Sequence, residues 1–324
     1  MRTILVSGAS GIVGYGALKS LRMGKENYRL VGTTIYDDSI APAFCDIFEQ
    51  APKTTDPTYI DWLCGIIQKH KVDMIIPGIN DDMLAWNEHR GRLEATGAFV
   101  MLNNQKLIEL CGDKWAFYER LKAAGSRYLI DSRLDGTFAD LKKDFGLPFL
   151  LKPRRGFASK GIVSIDSEET FNRHKANLGE VVMAQPIVGD NESEYTVSAF
   201  FDENSNMCCL MSLRRKLAKE GFTEKAAVAM PPDSEAAIRE LAKSLKPVGP
   251  TNFQFRVHKG ELKLLEINPR VSSATSIRAG FGYNENVMAV EYFLDGVVPK
   301  QPEIREGYAV RYTEDYFFYD SADI

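Results

Sequence analysis

The sequence predicts a chain of two characters, an α/β doubly wound sheet at the N-terminus followed by α+β segments richer in strands. Three observations carry that expectation. Thr3-Ile4-Leu5-Val6 is a short, partly β-branched run that passes through Ser7-Gly8-Ala9-Ser10-Gly11-Ile12-Val13-Gly14 into a helical pattern. Strand and helix patterns then alternate until about residue 112 and stop alternating there. Far downstream, Leu264-Leu265-Glu266-Ile267-Asn268-Pro269-Arg270 is an apolar strand ending in a carboxylate, an amide, a proline and a guanidinium.

The first segment supplies the parallel sheet. Gly8, Gly11 and Gly14 permit a tight turn at a helix N-terminus, where free N–H groups favour an anion. Ala17, Leu18 and Leu21 share the buried face of that helix. Arg29 to Ile35 reads as a second strand and is followed by Asp37 and Asp38. Residues Tyr59 to His70 form an amphipathic helix, and Val72 to Ile76 the next strand, closed by Pro77-Gly78. Asn80, Asp81 and Asp82 stand at the carboxyl end of that strand, where open α/β sheets place ligands. The Gly-x-x-Gly-x-x-Gly spacing with Asp37 after it suits a dinucleotide. No Tyr-x-x-x-Lys pair follows, so a nicotinamide-dependent oxidoreductase stays an alternative and the ligand stays open.

The middle segment is basic and glycine-bounded. Asp113 is an N-cap, with Phe117 and Leu121 on the buried face of a helix that ends near Gly125. Phe149 to Pro153 is a strand ending in Lys152, and the loop from Arg154 to Gly161 carries Gly156, Ser159 and Lys160 before a returning strand. Backbone N–H groups and Ser159 can approach phosphate oxygens there while Lys152 and Lys160 supply charge. No Gly-Lys-Ser/Thr opens a helix, so this is not a Walker loop. Glu180 to Gly189 is a strand leaving into a linker that Pro186 keeps extended. Glu194 starts an alternating strand, and Arg214, Arg215 and Lys216 follow a strand over Met207 to Met211 as a cationic stretch.

On the downstream strand Glu266 and Asn268 point to one face, and Pro269 ends the ladder so that Arg270 lies in the turn. Two oxygen donors and a cation suit Mg²⁺ and a polyphosphate, or simply a solvated strand end. Register supplies a check. A two-residue turn at Lys259-Gly260 pairs Gln254 with Leu265, away from Glu266; a three-residue loop, or a bulge next to it, pairs Gln254 with Glu266. The sequence reading favours the odd-length connection.

Composition bounds the rest. With 324 residues the chain is long enough for two or three domains, and 44% hydrophobic with 26% charged residues is globular. A net charge of −4 argues against nucleic acid, and no apolar run is long enough for a membrane span. Five cysteines without Cys-x-x-Cys spacing favour a reducing compartment, and Met1 leads straight into the first strand, so a cytoplasmic protein is expected.

The strings SGASGIVG, GDKWAFYERLKAAG, LLKPRRGFASKGI, AQPIVGDNESEYTV, TNFQFRV and LLEINPRVSSATSIRAG, in this order, resemble the ATP-grasp superfamily, most closely the synthetase halves of the carbamoyl-phosphate synthase large subunit. The resemblance covers nearly the whole chain. It implies an N-terminal pre-ATP-grasp domain over residues 1–112, a small lid over 113–186 and a C-terminal antiparallel sheet domain over 187–324, with ATP between lid and sheet. It further implies Lys114 and Lys152 on phosphates, Gly156 to Gly161 as the covering loop, and Gln185, Pro186, Ile187 and Val188 as the adenine hinge. Glu194 becomes the ribose acceptor, Gln254, Glu266 and Asn268 the Mg²⁺ (or Mn²⁺) ligands, with Gln254 also on the nucleotide, and Arg270 with Lys152 the catalytic cations. The first metal position is Gln where many relatives have Glu, which lowers the charge available to a second metal.

The implied activity is ATP-driven activation of a carboxylate as an acylphosphate and its capture by an amine, two small molecules. Gly8, Gly11, Gly14, Asp37, Asp81, Arg214, Arg215 and Ser272 are the candidates for the non-nucleotide pocket. A homodimer is the default assembly. Phosphorylation of carbamate or another small acid, and a module that holds nucleotide without turnover, remain alternatives.

Overall fold

The computed structural model describes residues 1–156, 161–190 and 192–319. Five parallel strands form the first sheet: β1 (Thr3–Val6), β2 (Arg29–Thr34), β3 (Ile47–Gln50), β4 (Met74–Ile76) and β5 (Phe99–Val100), in the order β3-β2-β1-β4-β5. Strand order reverses between β1 and β4, so the loops leaving these two neighbours part and open a crevice at their carboxyl ends. Helix α1 spans Ile12–Arg22, with Ala17, Leu18 and Leu21 fully buried on the face expected, and α2 (Tyr59–His70) matches its expected range. The edge strands β3 and β5 were not expected. Ile47-Phe48-Glu49-Gln50 is only half buried, so its sequence lacks the apolar run that marked β1.

Helix α3 (Asn80–Glu88) begins at the residues read as a strand-end cluster, and α4 (Arg90–Glu94) and α5 (Gln105–Cys111) complete this part. Asn80 and Asp81 point toward the crevice from the first turn of α3. Asp82 turns the other way, 3% exposed, and accepts from Thr54 Oγ1 at 2.6 Å. The glycine turn closes tightly. A Cβ on Gly14 would lie 2.1 Å from the Gly8 carbonyl oxygen, and one on Gly78 would lie 2.0 Å from that of Ser7.

Helix α6 (Lys114–Ala123) is capped by Asp113, which accepts from Trp115 N at 2.9 Å. It leads to α7 (Phe138–Phe145) and a three-stranded antiparallel sheet of β6 (Phe149–Pro153), β7 (Val163–Ile165) and β8 (Val182–Pro186), with α8 (Glu168–His174) before β8. A separate core of Leu141, Phe149, Leu151, Ile165, Phe171, Val182 and Ala184 holds this small unit together.

The third sheet has the order β13-β12-β9-β10-β11-β14, built from β9 (Glu194–Phe201), β10 (Met207–Leu217), β11 (Thr223–Val228), β12 (Gly249–His258), β13 (Glu261–Asn268) and β14 (Tyr308–Val310). Helix α9 (Ser234–Leu245) packs on one face of it through Ala237, Ile238 and Leu241. On the other side, α10 (Thr275–Gly280) and α11 (Glu285–Asp295) lie between sheet and N-terminal unit. One core takes Leu18 and Leu21 from α1, Met211 and Leu213 from β10, and Ala289 and Val290 from α11. At about 1.5–3 kcal/mol per buried aliphatic side chain, this shared core fixes the first sheet against the third. Strand β10 runs on to Leu217, so the cationic stretch lies inside the strand rather than after it.

Candidate active site

A cavity of ≈ 520 Å³ lies where the three sheets meet. Its walls come from the crevice of the first sheet (Gly11, Ile12, Gly78, Asp81), the lid strands (Lys152, Gln185 to Val188) and the third sheet (Gln254, Glu266, Asn268). These residues lie far apart in the chain, and the sheet order brings them to one volume.

On the lid side, Lys114 opens α6 and donates from Nζ to the Gly156 carbonyl at 2.7 Å. Lys152 reaches across to the third sheet, Nζ to Leu265 O at 3.5 Å. Burial lowers the pKa of both lysines, and the Glu266 carboxylate pulls the other way. Both are cations held in a partly dry place, which strengthens their pull on an anion. Arg154 and Arg155 do not share this role, because both pair with Asp113, at 2.8 and 2.9 Å. Ser159 and Lys160 lie outside the described residues. Gly161 is not on the cavity wall, where Gly156 and Ile162 stand. The hinge is pinned at both ends: Gln185 Nε2 donates to Ser132 Oγ at 3.1 Å, and Gly189 N donates to His258 Nδ1 at 3.0 Å.

The third sheet contributes the acidic face, and its register answers the question the hairpin posed. The connection is the two-residue turn Lys259-Gly260, with His258 opposite Glu261, so the expected odd-length loop is wrong. Both turn residues have positive φ, 51° and 82°, which suits a tight hairpin. Gln254 still pairs with Glu266, because the register shifts between Gln254 and Phe255 and leaves Leu265 as the extra residue of β13. Gln254, Glu266 and Asn268 therefore all line the cavity, with Asn252 opposite Asn268.

Asn268 Nδ2 stands 3.4 Å from Glu266 Oε1. With its amide turned over, the Asn268 oxygen takes that place, and two oxygens so spaced can serve as neighbouring ligands of an octahedral ion with bonds of about 2.0–2.1 Å. This pair fits a small hard cation. Gln254 is differently employed: its Oε1 accepts from Arg215 Nη2 at 2.7 Å. Arg215 is 4% exposed, and burial lowers its pKa. Glu194, also 4% exposed, accepts from Arg215 on Oε1 (2.9 Å) and from Arg256 on Oε2 (2.9 Å). A ribose hydroxyl at Glu194 would share oxygens already bonded to two guanidiniums. Arg256 was missed by sequence reading, although it stands two residues from Gln254 and period-two alternation puts it on the same face.

At the far end, Arg270 donates from Nε to Asn80 Oδ1 at 2.7 Å and from Nη1 to Val271 O at 2.6 Å. The N-terminal unit thus aims this guanidinium. Burial lowers its pKa to about 10, so it is charged at neutral pH. Gly11, Asp81 and Ser272, with its neighbour Ser273, line this end, joined by Ile79 and Phe222, which carried no sequence signal. Three expectations fail. Arg214 is exposed on the opposite face of β10, because its pairing partner is Tyr195 while Leu213 pairs with Thr196. Asp37 is exposed beyond β2 and off the cavity wall. Gly8 and Gly14 are packed against each other behind Gly11 and do not face the cavity.

Residues 182–316 match a family described as ATP-grasp in the biosynthetic pathway with Ter operon, and residues 17–101 match the PylC-like N-terminal domain. The fold is similar to N5-carboxyaminoimidazole synthetase from Staphylococcus aureus complexed with ADP, at TM-score 0.74 and 18% identity over 94% of this chain and 80% of that one. The fold is the ATP-grasp fold. A second ATP-grasp neighbour is the biotin carboxylase domain of Hydrogenobacter thermophilus 2-oxoglutarate carboxylase with MgADP, ADP and bicarbonate, at TM-score 0.70 and 20% identity, covering 95% of this chain and 73% of that one. By sequence, the large chain of carbamoyl phosphate synthase from Methanosarcina barkeri is 24% identical over 252 residues. The matched stretch is 70% of this chain and 23% of that relative, so the chain spans a small part of the synthase's length. In Thermotoga neapolitana the corresponding large chain is 26% identical over 190 residues, 54% of this chain and 17% of the relative.

Proposed function

We propose that this ATP-grasp protein is an ATP- and Mg²⁺-dependent ligase that activates a carboxylate as an acylphosphate and joins it to an amine. One observation carries the reading: a single cavity is lined by the hinge, by Lys114 and Lys152, by Glu266, Asn268 and Arg270, and by the crevice at Gly11 and Asp81. Together in one volume these groups suit a base, a triphosphate and an acceptor. The solved neighbours bound to ADP and MgADP support the nucleotide assignment.

The chemistry asks for charge and position rather than a protein nucleophile. In this reading the backbone of Gln185 to Val188 meets the base edge, and Lys114 and Lys152 hold phosphate oxygens. Glu266 and Asn268 would hold Mg²⁺, which supplies positive charge to those oxygens. Arg270 meets the transferred phosphoryl group, and its bond to Asn80 makes its aim depend on the N-terminal unit. The carboxylate attacks the terminal phosphorus and ADP leaves; the amine then attacks the acylphosphate carbon and phosphate leaves. Gly11, Asp81, Ser272 and Ser273 would position these two substrates.

Domain limits at residues 112 and 186 are part of the proposal, as are a homodimer, testable by sedimentation equilibrium, and a cytoplasmic location. The five cysteines, all free thiols, fit a reducing compartment, and among the described residues no helix is long and apolar enough to cross a membrane. The test of the activity is ADP release across carboxylates, bicarbonate included, crossed with amines. The reading expects release that requires a carboxylate and Mg²⁺ together. Nicotinamide reduction with no ADP release in any combination would overturn it. Release with bicarbonate and ammonia alone would favour the carbamoyl-phosphate type of chemistry.

A further inference from the structure

Resting on that reading, we propose that the site takes one divalent cation, on Glu266 and Asn268, and that Arg215 is a resident cation filling the Gln254 side in place of a second. Arg215 comes from the middle of β10 and lies under the cavity wall. Its Nη2 donates to Gln254 Oε1 at 2.7 Å and to Glu194 Oε1 at 2.9 Å, its Nε donates to Glu194 Oε1 at 3.2 Å, and its Nη1 donates to Thr223 Oγ1 at 3.4 Å. Turning the Gln254 amide over would set its NH₂ against the guanidinium N–H, donor against donor, so this hydrogen bond fixes which atom is the oxygen.

The one oxygen Gln254 can offer a metal is therefore already bonded to a cation. An ion on the remaining lone pair, about 2 Å from that oxygen, would stand about 4 Å from Nη2, where a divalent charge feels twice the repulsion of a univalent one. The carboxylate opposite Gln254 is Glu266, whose single charge this assignment gives to the ion it shares with Asn268. Glu194 is neutralised on Oε1 by Arg215 and on Oε2 by Arg256. Among the described residues Glu266 makes no ion pair, so it keeps its charge for a metal, and Asn268 is beside it. The negative charge available suits one ion on the Glu266 side, and the Gln254 side carries its own positive charge, permanently attached.

The experiment counts Mn²⁺ by electron paramagnetic resonance titration against the full chain saturated with ADP. One bound Mn²⁺ per chain is expected. Gln254→Ala should keep that ion with affinity within about threefold, Glu266→Gln should lose it, and Arg215→Gln, which frees Gln254 and removes the charge, should admit a second ion. Two Mn²⁺ in the parent chain, loss of Mn²⁺ in Gln254→Ala, or a folded Arg215→Gln that still holds one ion would each overturn the inference. Circular dichroism checks the fold of Arg215→Gln, and if that variant is unfolded the parent count and Gln254→Ala decide. A parent chain that binds neither ADP nor Mn²⁺ would remove the nucleotide reading itself, a result distinct from the wrong count.

Discussion

Glu285 and Arg278 form an ion pair in which neither side chain has any exposed surface, on the same face of the third sheet as the cavity. Arg278 Nη1 donates to Glu285 Oε1 at 2.8 Å, and Nη2 lies within 2.6 to 3.0 Å of Asn252 Oδ1, Thr196 Oγ1 and Ser272 Oγ. Ser198 donates to the second Glu285 oxygen. Glu285→Gln keeps the shape and removes the charge, leaving a buried guanidinium without its counter-ion. Breaking such a pair from one side costs about 3–5 kcal/mol. At about 2–4 °C per kcal/mol for a domain of 150–250 residues, thermal unfolding followed by circular dichroism should shift down by roughly 6–20 °C. Arg278→Met with Glu285→Met should recover most of the loss, because replacing both charges removes the desolvation cost as well. A Glu285→Gln melt within about 2 °C of the parent would refute the reasoning. So would a double variant as unstable as the two single losses added together.

Three further outcomes are expected. Glu266→Gln should cut ADP release by about 10²–10³-fold, the scale of losing one preorganised electrostatic group, while melting moves by a few degrees; unchanged release would remove Glu266 from the site. Burial lowers the pKa of Lys114 and Lys152, so the folded chain sheds these protons first, and their contribution to stability rises with pH between the lowered and the ordinary lysine values. A polyphosphate beside them returns the protons, so ADP binding should take up protons at alkaline pH and weaken as pH rises through the lowered values. Calorimetry in two buffers of different ionisation enthalpy reads this, and a proton count of zero there would separate the lysines from the phosphates. Gly14→Ala places a Cβ 2.1 Å from a backbone oxygen that cannot move aside, and should destabilise the N-terminal unit by about 3 kcal/mol or more, measured by urea unfolding.

Much of the fold was legible because the signals were local and strong. The α2 range and the β6 range agree with expectation to the residue, and the Asp113 cap was visible as a side chain. What escaped was set by tertiary pairing. The strands β3 and β5 are short edge elements, and Arg214 reads like Arg215 until β10, running on to Leu217, puts the two neighbours on opposite faces. In the site, the pieces that carry chemistry by composition (Lys114, Lys152, Glu266, Asn268 and Arg270) all reach one cavity. The partners that change their meaning did not show in sequence. Nothing in the residues alone tells that the Gln254 oxygen is bonded to Arg215 or that Glu194 sits between two guanidiniums.

The extra residue at Leu265 has a consequence for how the hairpin tolerates lost residues. Leu262 and Leu264 face the core before it and Ile267 faces the core after it, so odd and even positions exchange roles at that one place. It acts as a frameshift in the period-two code of the strand. A deletion scan along β13 should then find that folding accepts the loss of one leucine of the Leu264-Leu265 pair (either deletion gives the same chain), because a leucine stays opposite Phe255 and Glu266 stays opposite Gln254. A missing residue at position 265 in a related chain would accordingly mark a straightened strand with the same cavity face.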